Sequence, residues 1–478
     1  LRNGLKVGPN YSAPPVALAA QWLDANDKRV RQASDELSQW WRVFDDPVLD
    51  ELIVNAYQQN LTLREAGFRV LQARANLGIV RGEIFPQAQF GFGAFDRSAN
   101  SLERGGGISV FRQRYFSRWT TGFSLAWELD FWGRYRRQIE SAGAVLDASV
   151  HEYDAVLVTL LADVATNYVI YRTTEDRIRY ALENVKIQEE SARVAEAREA
   201  VVKGKQDSFQ AQALLFQTRA AIPELEIDLR QSMNRLSILL GTPPEDLSAR
   251  LRSAKARIPS APADIAIGIP ADLLRRRPDV RRAERLTAAQ SAQIGVAESE
   301  FYPHIVLNGT LSFAAEQFKD LFKGSAFNGS FGPSFQWNLL NYGRIRNNVL
   351  LQDARFQELL TAYQNSVLNA QMEVEDGLIT FLNAQKRARL QAESADFAKK
   401  AEPIVRKRYE VDQAPDFTRV TQTQQLRVQE LDLLAQAQGE IALGLIQVYR
   451  ALGGGWQIRL VSPAELAPRP TLRFGRPH

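Results

Sequence analysis

Trp127-x-Leu129-x-x-Trp132-Gly133-Arg134-x-Arg136 returns as Trp337-x-Leu339-x-x-Tyr342-Gly343-Arg344-x-Arg346, each matched position about 210 residues further on. A shift that long lies far outside the roughly 20–50-residue periods of solenoids and propellers, so the chain holds one duplicated unit, not an array. Other landmarks keep the order: Phe85-Pro86 answers Tyr302-Pro303, Asp207 answers Asp416, and Leu240-Gly241 answers Leu452-Gly453. Insertions are therefore small and fall between elements. Two like half-units in one chain point to placement about a shared axis, as in many transport proteins.

Just before each elbow the hydrophobic period is 2. Phe123, Leu125, Trp127 and Leu129 alternate with Ser124, Ala126 and Glu128, and Phe331, Phe335, Trp337 and Leu339 alternate with Gly332, Ser334, Gln336 and Asn338. Ile305, Leu307, Leu311 and Phe313 do the same, and Phe90, Phe92 and Ala94 form a weaker series against Gly91, Gly93 and Phe95. This predicts one β-hairpin per half, at 87–131 and 304–340, with loops at 97–117 and 314–329. Trp119, Trp127, Trp132, Trp337 and Tyr342, with Phe131, Phe318, Phe322 and Phe327, crowd the strand ends like the aromatic girdles of membrane barrels.

After each elbow the period becomes helical. From Arg134 to about Val202 and from Arg344 to about Tyr409 the pattern predicts helices of ~100 Å at 1.5 Å per residue. Return helices follow, carrying Leu214, Leu225 and Leu236 or Leu431, Leu445 and Leu452, so each half ends in a long helical hairpin. Before each strand region lies another helix. One begins at Pro47 and runs as a single pattern from Leu49 to Leu77; the other begins at Pro278, proline suiting the first turn. Both stop at an aromatic-Pro pair, because the residue before proline is pushed to extended geometry. The expected organisation is an extended arm at 1–45, a first repeat at 46–260 with its helical hairpin at 134–240, a second repeat at 261–456 with its helical hairpin at 344–452, and a tail at 457–478. In the first hairpin tip, Asp207-Ser208-Phe209-Gln210 has capping-box spacing, and Asp416 sits where an N-cap belongs in the second.

Composition limits the function classes. The chain of 478 residues has no cysteine, which removes thiol catalysis and thiolate metal sites. Mean hydropathy is -0.28, and no stretch reads as a spanning helix, so strands must make any membrane crossing. The first residues show neither a charged nor an apolar leader segment; a leader is either naturally missing or already removed. Net charge is +4, with acids and bases interspersed, which argues against nucleic-acid binding. His151, His304 and His478 are not at ligand spacing from one another, no nucleophile or phosphate-loop signature occurs, and no metal or cofactor is expected. The reading is not an enzyme. Four strands cannot close a membrane barrel, since about 8 is the smallest number that does so, and an open edge in lipid strands its backbone groups. The chain must oligomerise, and the residue pattern leaves the copy number open.

These motifs resemble the TolC-like outer-membrane factors, in the branch serving resistance-nodulation-division efflux pumps. The resemblance is carried by Val7-Gly8-Pro9-Asn10-Tyr11, Arg276-Arg277-Pro278-Asp279-Val280-Arg281, the aromatic-Pro pairs, the two elbows and Ala451-Leu452-Gly453-Gly454-Gly455-Trp456. It implies a membrane α+β fold in which four strands per chain complete a trimeric 12-stranded outer-membrane β-barrel, continuous with a long periplasmic α-helical barrel. It further implies an exit duct in the outer membrane of a Gram-negative bacterium, passing drugs or other small molecules, with a periplasmic adaptor and an inner-membrane pump as partners. Type I secretion and metal efflux are the alternatives within that class, and a soluble coiled-coil scaffold the alternative outside it. Leu5 stands near the position of the family's acylated Cys, and Gln413 replaces the glycine that Gly204 supplies at the first tip. By the resemblance, Asp412 and Asp416 would ring the pore gate with Tyr409 and Arg419 as tethers, while Gly204, Lys205, Asp207, Gln413 and Pro415 would meet the adaptor. A carboxylate ring on one axis would favour cations. Arg134 and Arg344 read as anchors at the membrane interface.

Overall fold

A computed structural model describes residues 6–31, 37–99, 115–199, 205–251, 257–411 and 417–461. The chain divides into two compact units, one comprising 1–15, 69–149 and 282–363 and the other 16–68, 150–281 and 364–478.

The first unit is built on an antiparallel sheet of β2 (Ala88–Ala99), β3 (Tyr115–Leu129), β5 (His304–Ala315) and β6 (Phe327–Gln336), in the order β2-β3-β5-β6. The two hairpins are thus joined through β3 and β5, from Trp119 opposite Ala315 to Leu129 opposite Ile305. All four strands run into the loops expected at 97–117 and 314–329, because backbone pairing continues where the apolar alternation has faded. Short 3-10 turns at Phe318–Asp320 and Gly324–Ala326 fill the second loop.

Register corrects the weakest strand. Gly91 lies opposite Phe123 and Phe95 opposite Trp119, so the odd-numbered residues of β2 share the apolar face. Phe90 and Phe92 lie opposite Ser124 and Gly122 and therefore point to the polar side. Alternation of large apolar residues is a poor guide in a strand that carries Gly91 and Gly93 on its other face.

At the base of the sheet the chain turns sharply into α3 (Arg134–Glu199) and α8 (Arg344–Val411). Gly133 and Gly343 make these elbows at φ +82 and +81, a left-handed conformation in which a Cβ would be strained. The arm residues Val7, Gly8 and Asn10 are gripped by Arg137, which is 1% exposed and donates to both carbonyls and to Asn10 Oδ1 at 2.6–3.3 Å.

In the second unit the helix expected from Pro47 proves to be two, α1 (Pro47–Gln59) and α2 (Leu61–Gly82), the latter running on into the first unit. Asn60 interrupts them in extended geometry. Its side chain donates to the Leu239 carbonyl at 2.9 Å and accepts from Leu63 N at 2.8 Å, a cap that periodicity cannot reveal. The arm is tied down here by buried Trp22, Trp40 and Trp41, and by β1 (Val30–Arg31) running parallel to β4 (Ile265–Ala266). Short helices α5 (Ser248–Leu251) and α6 (Leu273–Arg276) precede α7 (Pro278–Ser299).

The hairpins return through α4 (Gln206–Leu239) and α9 (Phe417–Ala451). Side-chain pairs show their direction: Glu196 with Gln212 and Glu189 with Arg219 are the contacts of antiparallel α3 and α4. Gly377 against Val448 and Gly444 against Phe381 let α8 and α9 approach closely, added Cβ atoms there falling 3.0–3.2 Å from the facing helix. Leu157, Leu161, Val164 and Tyr168 of α3 are completely buried with Val374, Phe381, Leu431 and Leu445. This core corrects one expectation. A stretch of α3 is apolar enough by composition to span a membrane, but 56% of it is buried inside the protein, as befits a core helix.

Candidate functional site

Two regions carry the chemistry. The first is the apolar face of the sheet. Phe123, Leu311, Phe331 and Phe335 share it, and all are 58–75% exposed, an area of large side chains that water would not ordinarily be left to cover. Aromatic clusters bound it at both ends. At one, Trp119 packs on Phe95 and Phe318 with ring centroids 4.4 and 5.1 Å away, and Phe313 packs on Phe322 and Phe327. At the other, Trp127 Nε1 donates to Ile84 O at 3.0 Å, Trp337 Nε1 to Phe301 O at 2.9 Å, and Trp132 Nε1 to Pro303 O at 2.9 Å. Indoles that satisfy their N–H while part of the ring stays accessible, as in half-buried Trp127 and Trp132 and exposed Trp337, are suited to an interface. Tyr342 is 93% exposed. Trp119 and Trp127 are eight residues apart in β3, about 27 Å along the strand at ~3.4 Å per residue and about 20 Å of height at the ~40° tilt of barrel strands, most of a lipid-facing band of ~25 Å. The roles of Phe95 and Phe313 could not be read from spacing, because cross-strand register places them beside Trp119 and Phe327.

Beside the second cluster lies a half-buried charged group. His304 Nδ1 is 2.6 Å from Glu128 Oε1, Tyr135 donates to Glu128 Oε2 at 2.9 Å, and Arg134 lies 3.5–3.6 Å from Glu128 and Glu300. Arg134 is therefore engaged by carboxylates rather than extended as an anchor; Arg344 is exposed. Burial and the bond to Glu128 hold the Tyr135 phenol well above its ordinary pKa.

The second region is the end of the helical hairpins. Asp207 does not cap its helix: α4 begins at Gln206, Lys205 occupies the cap position without a side-chain bond, and Asp207 stands in the first turn. There it accepts a 3.0 Å hydrogen bond from Tyr409 of the other hairpin. Tyr409 also meets Phe417 edge to face at 4.9 Å and lies under the Arg198 guanidinium, 4.8 Å from the ring centre. Arg198 in turn donates to the Glu410 carbonyl at 3.0 Å. A small core of Ala192, Ala195, Ala211 and Val420 supports the pair. Burial, and then the bond to Asp207, push the Tyr409 hydroxyl up to about 12. Arg419 stands in the first turn of α9, exposed like Lys205. Gly204, Asp412, Gln413, Pro415 and Asp416 lie outside the described residues, as does Leu5.

About two turns below Tyr409, Glu402 is 3% exposed and faces Gln424, Arg406 and Arg427 at 3.2–3.6 Å, with Ser191 bonded to the same Gln424. This network ties α3, α8 and α9 together. Sequence offered only one signal for it, a charged residue at an otherwise apolar helical position.

Known proteins resemble this chain over most of its length. The family model for outer membrane efflux proteins matches the chain twice, over residues 52–242 and 269–454. Nodulation protein T of Rhizobium leguminosarum bv. trifolii is 32% identical over 79% of each chain. The pyoverdine export outer membrane protein OpmQ of Pseudomonas putida is 31% identical over 92% of this chain and 93% of its own. Among solved structures, the outer-membrane channel OprN superposes with a TM-score of 0.87 at 32% identity, covering 94% of this chain and 99% of that one. The chain belongs to the outer membrane efflux protein family, whose members are channels and not enzymes.

Proposed function

We propose that this outer-membrane efflux channel is the exit duct of a three-part pump, working as a homotrimer whose twelve strands close one barrel in lipid. The observation that carries this is the sheet of the first unit: one face is apolar, exposed and bounded by aromatics, and neither outer edge, of β2 or of β6, has a strand partner among the described residues. Unpaired backbone in lipid costs several kcal/mol per group, so the edges must be closed by other copies. Helices of 66 and 68 residues, about 100 Å each, give enough length for a periplasmic tunnel. A periplasmic adaptor and an inner-membrane pump of the resistance-nodulation-division type would meet its far end, where Lys205, Asp207, Gly204, Gln413 and Pro415 lie in sequence. The cargo we assign is small organic molecules, in keeping with relatives named for pyoverdine export and toluene efflux.

The gate in this proposal is at the hairpin tips. Tyr409 and Asp207 lock the second hairpin to the first, and Asp412 and Asp416 from each copy set a negative ring that favours cations, with Arg419 beside it. The channel in planar bilayers tests this reading. Discrete conductance steps blocked by trivalent cations are expected, with Asp412→Ala/Asp416→Ala relieving the block. A protein that stays monomeric and dispersed without detergent, and never conducts, would overturn it.

A further inference from the structure

The two repeats share their internal contacts but not their outward ones. Trp127 and Trp337 each donate to the carbonyl just before their own repeat's aromatic-Pro pair, Ile84 or Phe301. Both elbows close with the same backbone bond, Arg137 N to Gly133 O and Asn347 N to Gly343 O, at 2.8 and 2.9 Å. Trp132, however, reaches out of its repeat: it stacks on Tyr302 at 4.5 Å and donates to Pro303. Its counterpart Tyr342 is 93% exposed, in left-handed geometry at φ +51, and the counterpart of Tyr302, Phe85, is 64% exposed. One chain thus holds a joint from repeat one to repeat two, together with the two separated halves of a second such joint.

We infer that the second joint forms between copies, Tyr342 of one chain docking on the Phe85-Pro86 corner of the next, with β6 pairing β2 in a defined register. This rests on the proposed assembly into a channel, and names the contact that closes it. The register follows from the chain itself. β3 and β6 correspond at a shift of 210 residues, so the pairs Ala88–Ala126 and His304–Gln336 make β2 and β5 correspond at a shift of 216. Within the chain Leu125 lies opposite Gly309. Translated, Phe335 lies opposite Gly93 of the next copy, large side chain over glycine in both joints. The space is there: a Cβ on Gly93 would meet nothing nearer than 3.9 Å, and Phe335 is 73% exposed. Both belong to the apolar face, so the pairing keeps that face continuous around the ring. A head-to-tail contact of this kind closes when the rotation permits it.

The absence of native cysteine makes the test direct. Directly opposed strand residues have Cα atoms about 4.5–5.5 Å apart, within disulfide reach, whereas pairs offset by two lie at roughly 7–8 Å, beyond it. Phe335→Cys with Gly93→Cys, oxidised in detergent, is expected to give covalent multimers, while Phe335→Cys with Gly91→Cys or with Phe95→Cys gives far less. Stronger crosslinking by either offset pair overturns the register, as does no crosslinking by any pair in a protein whose native mass shows several copies. A native mass of one copy overturns the channel assembly itself. Separately, Tyr342→Ala should lower the temperature at which the oligomer dissociates, and Tyr342→Trp should restore it. An unchanged dissociation temperature in Tyr342→Ala overturns the elbow contact.

Discussion

Trp127 and Trp337 make equivalent bonds, to Ile84 and Phe301, in the two matched stretches of the repeat. Five residues on, Trp132 is docked and Tyr342 is bare. The hairpin tips differ in the same manner, the first contributing an acid in a helical first turn and the second the tyrosine that binds it. Duplication has kept the contacts that fold each repeat. What differs is that one repeat-to-repeat joint is made within the chain while the two halves of the other stand exposed.

The largest effect should come from the face on which both repeats agree. Phe123→Arg places a charge in the middle of the apolar band and should cost about 2–4 kcal/mol of stability in lipid, whereas Ser124→Arg on the other face should be tolerated. Folding into vesicles, followed by denaturant titration, compares them; equal losses would break the assignment of faces.

Next is the elbow. Trp132→Ala removes a stacked pair and an indole bond inside one chain, and about 2 kcal/mol should be lost even from unassembled protein. Tyr342→Ala should leave the unassembled chain unchanged. Similar losses in both would erase the distinction between the elbows.

Tyr409→Phe deletes the hydroxyl joining the tips without changing their packing. A neutral donor to a carboxylate is worth about 1–2 kcal/mol, so open probability in single-channel recordings should rise roughly tenfold. The smallest effect is that of pH. The folded pKa of Tyr409 is raised to about 12 from 10.0, so its contribution is complete below pH 10 and is lost as pH rises through about 12. The difference in opening between Tyr409→Phe and the parent should therefore be flat from pH 6 to 9 and shrink above 10. A change centred near pH 7 would assign the tip to another group.

The elbows, both hairpins and the long helices could be read in advance, since each rests on local residue types: glycine at a left-handed turn, proline at a first turn, periods of 2 and 3.6. Asn60 could not, because Leu49, Ala56, Leu63 and Leu77 keep helical spacing straight through a break that depends on the Leu239 carbonyl. Phe90 and Phe92 misled for a related reason. Their face is set by the partner strand's register, and β2 has too few apolar residues to declare it alone. At the tips, a capping motif was legible, but Asp207 uses its carboxylate on a tyrosine 202 residues away.

By itself, the sequence determined that this protein is a duplicated unit of strands and long helices without the means of thiol chemistry, because periodicity, turn residues and composition act locally. Only the tertiary structure decided which β2 face is apolar, which tyrosine holds which acid, and which elbow is left exposed. Those depend on register and on contacts between distant residues, and the energy of such a contact is absent from either residue taken alone.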